Sequence, residues 1–565
     1  MTYKSNSTVL TTWRLAWGKV DELTEAYWQG EQIAIFLPHS STSILPLAFS
    51  PSQRFVAIGE VSLSHRKPLA QQLENSCSTS DLQIIATAWE RWGVETFNQL
   101  VGMFGLVVWD RERKELWLGR DRTGTRTLYY TLNGTTHWIA PSLRSLTPYH
   151  SKELDLVALR DYLCCAFVPG ERTLWRQVRE LRPGTVLQFP EKQIRSYWQL
   201  QEQIQGPKQT LSWHSHQLRE LLDQVVQECL PSNRPVGVLL SGGLDSSCVT
   251  ALATKFHSAP VHTYSIHFGS QCPNELQFSS LVAQHCQTQH HILEISFRQM
   301  WEKLPETMAW LDDPIGDPLT VPNLLIGQLA RESVQVVLNG EGGDPCFGGP
   351  KNQPMLLNQL YGGVTQQDPL QAYLLAFKKC ALDLPQLLKP EIWEAVKQEP
   401  YVFSHDLDST ASWLNRLMAL NIKFKGADHI LTKVNNLTQA AGLQGLSPLF
   451  DQRLVDLSMQ IPPEYKLSGV QEKAVLKQAV VDLLPAEILY RPKSGMMVPV
   501  QLGFSQYWRR EAKALLLNRK AAIAPYLNQS IIRNWLGYRG DPWQRYGVKL
   551  WLLVSLEIWL QVNQK

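Results

Sequence analysis

The chain has 565 residues, 44% hydrophobic and 19% charged, with a formal net charge of +3. That length is too great for one hydrophobic core and implies at least two domains. The near-neutral balance, with no basic run, gives no reason to expect a nucleic-acid partner. Nine cysteines, an odd number never arranged as paired CxxC, suggest reduced structural thiols in a cytoplasm rather than a disulfide frame or a zinc site.

Through the first 200 residues short β-rich runs alternate with turns. Strands are expected at Phe55–Ile58, Gly105–Trp109, Leu116–Leu118, Leu128–Thr131 and Thr136–Ile139. Helical spacing marks Leu82–Trp92 and Leu156–Cys164. Pro183-Gly184-Thr185 then opens a hairpin of Val186–Phe189 with Ile194–Tyr197. The polar stretch Glu202–Thr210 is the best linker and divides the chain into 1–205 and 206–565. From Leu211 helices dominate, interrupted by apolar strands at Val236–Leu240, His262–His267 and Gln335–Asn339. Strand, loop and helix in repetition predict an α/β fold with an open parallel sheet. The apolar stretch Val548–Val562 is too short for a membrane span and carries Lys549 and Glu557, so a packed closing helix is expected. The first residues, MTYKSNSTVLTTW, lack the apolar core of a secretory signal.

The most informative string is VGVLLSGGLDSS, Val236–Ser247. An apolar run that enters glycines reads as a buried parallel strand turning into a helix. Gly242 and Gly243 let the backbone bring N–H groups toward a ligand, and the helix start adds positive dipole. Ser241, Ser246 and Asp245 stand beside that cradle. Hydroxyls and amides suit pyrophosphate oxygens, and a carboxylate suits the Mg²⁺ that travels with them. No GxxxxGK[ST] string occurs, and the loop resembles that of ATP pyrophosphatases, which cut ATP between its α and β phosphates.

In such a sheet, ligands bind beyond the carboxyl ends of the strands. The second strand ends near Ile266, whose backbone is placed to hold an adenine edge. The third runs into Gly340-Glu341-Gly342-Gly343-Asp344, where Asp344 is either a turn residue or a second hard-oxygen ligand. LYRPKSG places Arg491, Lys493 and Gly495 in a loop. A desolvated cation there would stabilise the charge that develops as ATP is cut. LDDPIGDPLTVP adds Asp312, Asp313 and Asp317, with Asp317-Pro318 equally suited to capping a helix or touching substrate.

These strings resemble the asparagine-synthetase family over nearly the whole chain. LLSGGLDSS, NGEGGDPCFGG, SPLFDQRLVD, LYRPKSG and LWLLVSLEIW match its synthetase half. LVGMFGLVVWD, GRDRTGTRTLYY and ELRPGTVLQF look like its N-terminal-nucleophile (Ntn) glutaminase. The resemblance implies an Ntn-hydrolase-like αββα sandwich followed by an adenine-nucleotide α-hydrolase-like parallel sheet. It implies ATP and Mg²⁺, with a carboxylate activated as acyl-adenylate and captured by an amine. By position, it puts Ser241, Gly242, Gly243, Asp245 and Ser246 on pyrophosphate and metal, and Asp344 as the second metal ligand. Leu239, Ile266 and Gly340 would surround the adenosine, Lys493 would be the transition-state cation, and Glu341 a catalytic glutamate near the amine.

The departures lie in the first half. The glutaminase uses a cysteine at the mature N-terminus, whose own amine serves as base. This chain has Thr2 there, and Ile58-Gly59-Glu60 where the family reads Asn-Gly-Glu, so the amide oxyanion donor is lost. Ser80-Asp81-Leu82-Gln83 keeps the aspartate but loses an acidic partner. The expectation is a degenerate, structural glutaminase domain that supplies no ammonia.

The amine must then come from the substrate, as in β-lactam synthetases and lasso-peptide macrocyclases. Glu341, where the β-lactam branch usually has Tyr, points away from that branch, and Pro350 replaces an aromatic common in asparagine synthetases. The leading expectation is a lasso-type macrocyclase. It would adenylate a peptide Asp or Glu for attack by the peptide's own N-terminal amine, working with a leader-binding protein and a leader peptidase. The alternatives are asparagine formation or another small-molecule amidation from ammonia, and a non-catalytic scaffold.

Overall fold

A computed structural model describes residues 12–20, 23, 26–37, 47–64, 66–74, 79–132, 134–204, 209–349, 369–468, 471–491, 498–538 and 546–564. Two compact units are resolved, Met1–Asp155 with Gly170–Gln199, and Leu156–Pro169 with Leu200–Lys565. The helix Leu156–Cys165 thus belongs to the second unit although it lies within the first 205 residues.

Among its described residues the first unit holds two antiparallel six-stranded sheets. One runs Val178–Glu180, Tyr129–Thr131, Thr136–Ala140, Arg14–Gly18, Ile33–Phe36, Trp28–Gly30. The other runs Gln193–Ser196, Thr185–Phe189, Glu115–Arg120, Gly102–Asp110, Phe55–Leu63, Leu47–Phe49. Alternation along these strands sends one set of apolar side chains inward between the sheets. Leu15, Ile33, Ile35 and Ile139 of the first sheet meet Val56, Ile58, Val107, Trp109 and Leu118 of the second. The opposite face of the second sheet packs Ala57, Phe104, Leu106 and Val108 against the helix Asp81–Trp92, through Ile84, Ile85 and Trp89. Ser80 caps that helix by accepting from the Gln83 amide at 3.2 Å. The expected strands and hairpin are present, each within three residues at the start, though the strand at Phe55 runs on to Leu63.

The second unit is built on a parallel sheet of five strands, numbered here within that unit. They are β1 Val236–Leu239, β2 Val261–His267, β3 Gln289–Glu294, β4 Val336–Leu338 and β5 Gln444–Leu446. Their spatial order is β3-β2-β1-β4-β5, all parallel. The order reverses at β1, so the crevice beyond β1 and β4 is the topological switch point. Sequence reading found β1, β2 and β4 by their apolar runs and missed β3, QHHILE, and the three-residue β5. The closing helix runs Tyr546–Asn563 and is buried throughout Leu550–Leu560. Its Glu557, fully buried, accepts from the amides of Ala522 and Ile523 at 3.0 and 2.9 Å. No described helix is long and apolar enough to cross a membrane.

Candidate active site

Two loops leave neighbouring strands β1 and β4 and meet. After β1 the chain turns through Gly242 at φ +76°, where a side chain would meet the Ser279 amide nitrogen at 2.5 Å. Only glycine takes that conformation beside so close a backbone. The helix α1, Leu244–Phe256, then starts with Asp245 in its first turn. Ser246 Oγ accepts from the Ser241 amide at 3.2 Å, and Ser241 Oγ accepts from the Gly243 amide at 3.3 Å. The hydroxyls and amides named for pyrophosphate therefore already form one tight polar turn.

After β4, Gly340 passes so close to Ser246 that a Cβ would lie 2.7 Å from its Cα. A Cβ on Gly343 would fall on the Asp245 carboxylate itself. Gly342, at φ +106°, turns the chain into a short helix whose first turn carries Asp344. These glycines explain how two acidic loops approach closely enough to share one cation.

That cation is the ammonium of Lys473, the residue preceding the helix Ala474–Ala479. Its Nζ lies 2.7 and 2.6 Å from the two oxygens of Asp245 and 2.6 Å from Asp344 Oδ1. The Lys473 side chain is 3% exposed. Burial works against its charge, but Asp245 and Asp344 more than offset this and hold its pKa above the usual lysine range. Two carboxylates from adjacent strand ends thus converge on one point of positive charge. Such a hard-oxygen pair fits a divalent cation of the kind that accompanies a nucleotide.

Sequence reasoning missed Lys473. The string QEKAVLKQ carries no local signal, and only the fold brings the lysine to Asp245, 228 positions away.

Beside the pair lies a recess of about 80 Å³, lined by Asp245, Gly340, Glu341, Gly342, Asp344, Pro345, Asn421, Lys425 and Ile430. The Glu341 amide donates to Asn339 Oδ1 at 2.9 Å, and the Asn339 side-chain amide donates to the Leu446 carbonyl at 3.1 Å. The loop is thereby fastened to β5. Asn421, Lys425 and Ile430 come from a π-helix, Asn421–Leu431, set between the α-helices Trp413–Leu420 and Thr432–Ala440.

Other expected residues stand as follows. Asp245, Gly340, Glu341 and Asp344 share the recess. Leu239 ends β1 and Ile266 is the last residue but one of β2, at the same edge of the sheet, but neither lines the recess. Thr2, Pro350, Lys493 and Gly495 lie outside the described residues.

Arg491, in the same loop string as Lys493, pairs with Glu275 at 2.6 Å and stacks over Phe278 at 4.0 Å. One expectation is corrected. Asp317 does not cap a helix beginning at Pro318; the helix is Thr320–Arg331 with Leu319 at its cap. Instead Asp317 accepts from the Leu319 amide at 3.0 Å and pairs with Lys433 at 2.7 Å and His429 at 3.3 Å. Asp312, buried, exchanges two bonds with Asn436, at 3.0 and 2.8 Å.

A parallel sheet with an anion-cradling turn and convergent carboxylates at its switch point is the apparatus of an ATP-dependent amide-forming ligase. The chain belongs to the asparagine synthase family, whose profile, described as asparagine synthase, matches residues 217–561. A glutamine amidotransferase domain profile matches residues 59–198.

The chain is similar to an asparagine synthetase [glutamine-hydrolyzing] 1 of Bacillus subtilis, 24% identical across 86% of this chain and 81% of the relative. It is also similar to asparagine synthetase B [glutamine-hydrolyzing] of Escherichia coli, 23% identical across 73% of this chain and 64% of the relative. Among solved structures, the glutamine phosphoribosylpyrophosphate amidotransferase of B. subtilis is similar at a TM-score of 0.23 and 16% identity, covering 44% of this chain and 59% of that one. The NH3-dependent NAD synthetase of Campylobacter jejuni is similar at a TM-score of 0.20 and 12% identity, covering 38% and 94%.

Proposed function

We propose that the protein adenylates a carboxylate with ATP, releases pyrophosphate, and passes the acyl group to an amine borne by the same precursor peptide, closing a lasso-type macrocycle. The observation that carries the ATP step is the convergence of Asp245 and Asp344 on one cation beside the Ser241–Ser246 turn. A Mg²⁺ held by those two carboxylates would neutralise the phosphate oxygens. Gly242, Gly243 and the start of α1 would cradle the leaving pyrophosphate, and Lys493 would offset charge developing at the α-phosphoryl. Glu341, in the same recess, would take a proton from the attacking amine.

The choice of amine is supported by the first unit. Ile58, where a glutaminase needs an amide to stabilise its oxyanion, is 0% exposed within the apolar layer between the sheets. An enzyme without its own ammonia gains by a tethered amine, since intramolecular attack avoids most of the entropic cost of bringing two molecules together. Such a reaction would be served by a separate leader-binding protein and leader peptidase in the cytoplasm. A second reading, asparagine formation from free ammonia, is favoured by Glu341 and by the named relatives.

Incubation with ATP, Mg²⁺ and a panel of candidate core peptides should yield AMP, pyrophosphate and a product lighter by one water. AMP release that instead requires ammonia and aspartate, with no peptide processed, would replace the macrocyclase by the asparagine-forming enzyme.

A further inference from the structure

We propose that the π-helix Asn421–Leu431 is the wall that receives the substrate acid, with Lys425 binding the carboxylate to be adenylated, Asn421 hydrogen-bonding it and Ile430 packing on its aliphatic stem. The inference rests on the ligase reading above and names the chemistry of its acid, an aliphatic side-chain carboxylate such as that of Asp or Glu.

The first argument is charge. Asp245, Glu341 and Asp344 all line the recess, and a reacting carboxylate must enter beside them. Like charges at such range disfavour one another strongly unless a cation stands with them. Among the described lining residues Lys425 supplies positive charge, on the wall contributed by the π-helix.

The second argument is register. Asn421, Lys425 and Ile430 are spaced by four and then five residues. In an α-helix, at 3.6 residues per turn, Ile430 would stand roughly half a turn away from Asn421. With i→i+5 bonding, at about 4.4 residues per turn, all three fall on one line. The eleven-residue π-stretch is therefore what presents a cation, an amide and an apolar side chain together.

The third argument is support. His429 of this helix lies 3.3 Å from Asp317, which Lys433 of the next helix also holds, while a Cβ on Gly426 would meet Phe450 at 2.9 Å, so the turn is braced on both sides. Held there, a carboxylate oxygen uses a lone pair to bond the α-phosphorus as the bond to the bridging oxygen breaks. Pyrophosphate leaves with that electron pair.

The test compares full-length wild type, Lys425→Met, Lys425→Arg and Asn421→Ala. The probes are free aspartate and peptides bearing a single Asp or Glu. Acid-dependent exchange of labelled pyrophosphate into ATP is measured against acid and against ATP concentration, and Mg·ATP binding without acid by calorimetry. Lys425→Met should raise the half-saturating acid concentration about 10- to 100-fold and leave the Mg·ATP Kd within about twofold. Lys425→Arg should recover part of that loss, and Asn421→Ala should show a shift of about fivefold. Unchanged acid saturation in Lys425→Met, or an equal loss of ATP and acid binding, would overturn the assignment. If Lys425→Met does not fold, the Lys425→Arg and Asn421→Ala shifts decide on the same terms. No acid-dependent exchange in the wild type would remove the ligase reading, and this inference with it.

Discussion

The two units handle polar groups at their functional positions in opposite ways. In the second, strand ends deliver Asp245 and Asp344 to one buried cation, with serines, glycines and Glu341 around them. In the first, Ile58 is buried in the apolar core between the sheets. Both keep their folds, because in each case the buried group is matched to its surroundings: charge to charge in one, methyls to methyls in the other.

The largest break should come from removing one arm of the charged pair. Asp245→Ala or Asp344→Ala should lower pyrophosphate release by about a thousandfold or more, as expected when transition-state charge loses its stabiliser. The same change leaves Lys473 with less compensation, so the unit should also lose about 3 kcal/mol of stability or more. Pyrophosphate release and denaturant unfolding, measured on the same preparations, separate the two effects. Near-wild-type turnover in Asp344→Ala would show that the convergence is structural and not catalytic.

The converse substitution probes the other unit. Ile58→Asn restores the side chain that a glutaminase would use, but no partner waits for it among Val56, Val107, Trp109 and Leu118. Burying the amide and losing apolar volume should cost roughly 2–4 kcal/mol. Glutamine hydrolysis should stay at background, and ATP chemistry per folded molecule should be unchanged. A gain of glutaminase activity would mean that Thr2 still serves as a nucleophile, and the comparison between the units would fail.

How much of this was legible beforehand follows the same division. Glycines, serines and aspartates adjacent in sequence announce the β1 and β4 loops because local backbone geometry demands them. The burial of Ile58 was legible from the apolar run it sits in. Lys473 was not, because its role arises from a contact across 228 positions rather than from its neighbours in sequence. Nor was the π-helix, since no residue pattern in NIKFKGADHIL separates five-residue from four-residue bonding. Nor was the pairing of Arg491 with Glu275, a contact across 216 positions.

The smallest effect, and the sharpest test of how the second unit tolerates buried charge, concerns Lys466. It is fully buried, donates to Asn415 Oδ1 at 2.7 Å, and its carbonyl accepts from the Lys473 amide at 2.6 Å. Burial pushes its ammonium down to about 7, against weaker support from Cys346 and Glu202. The unfolded chain would keep that lysine protonated up to its ordinary value near 10.5. Between those two values the unfolded state binds more protons than the folded one, so stability should rise with pH, by up to about 1.4 kcal/mol per pH unit. Below about 7 both states are protonated and this contribution is flat. Unfolding free energies from pH 7 to 9 should therefore climb in the wild type, and the climb should disappear in Lys466→Met. A wild-type profile that stays flat across that interval and matches Lys466→Met would show that Lys466 stays charged in the fold, held by Asn415 and Glu202.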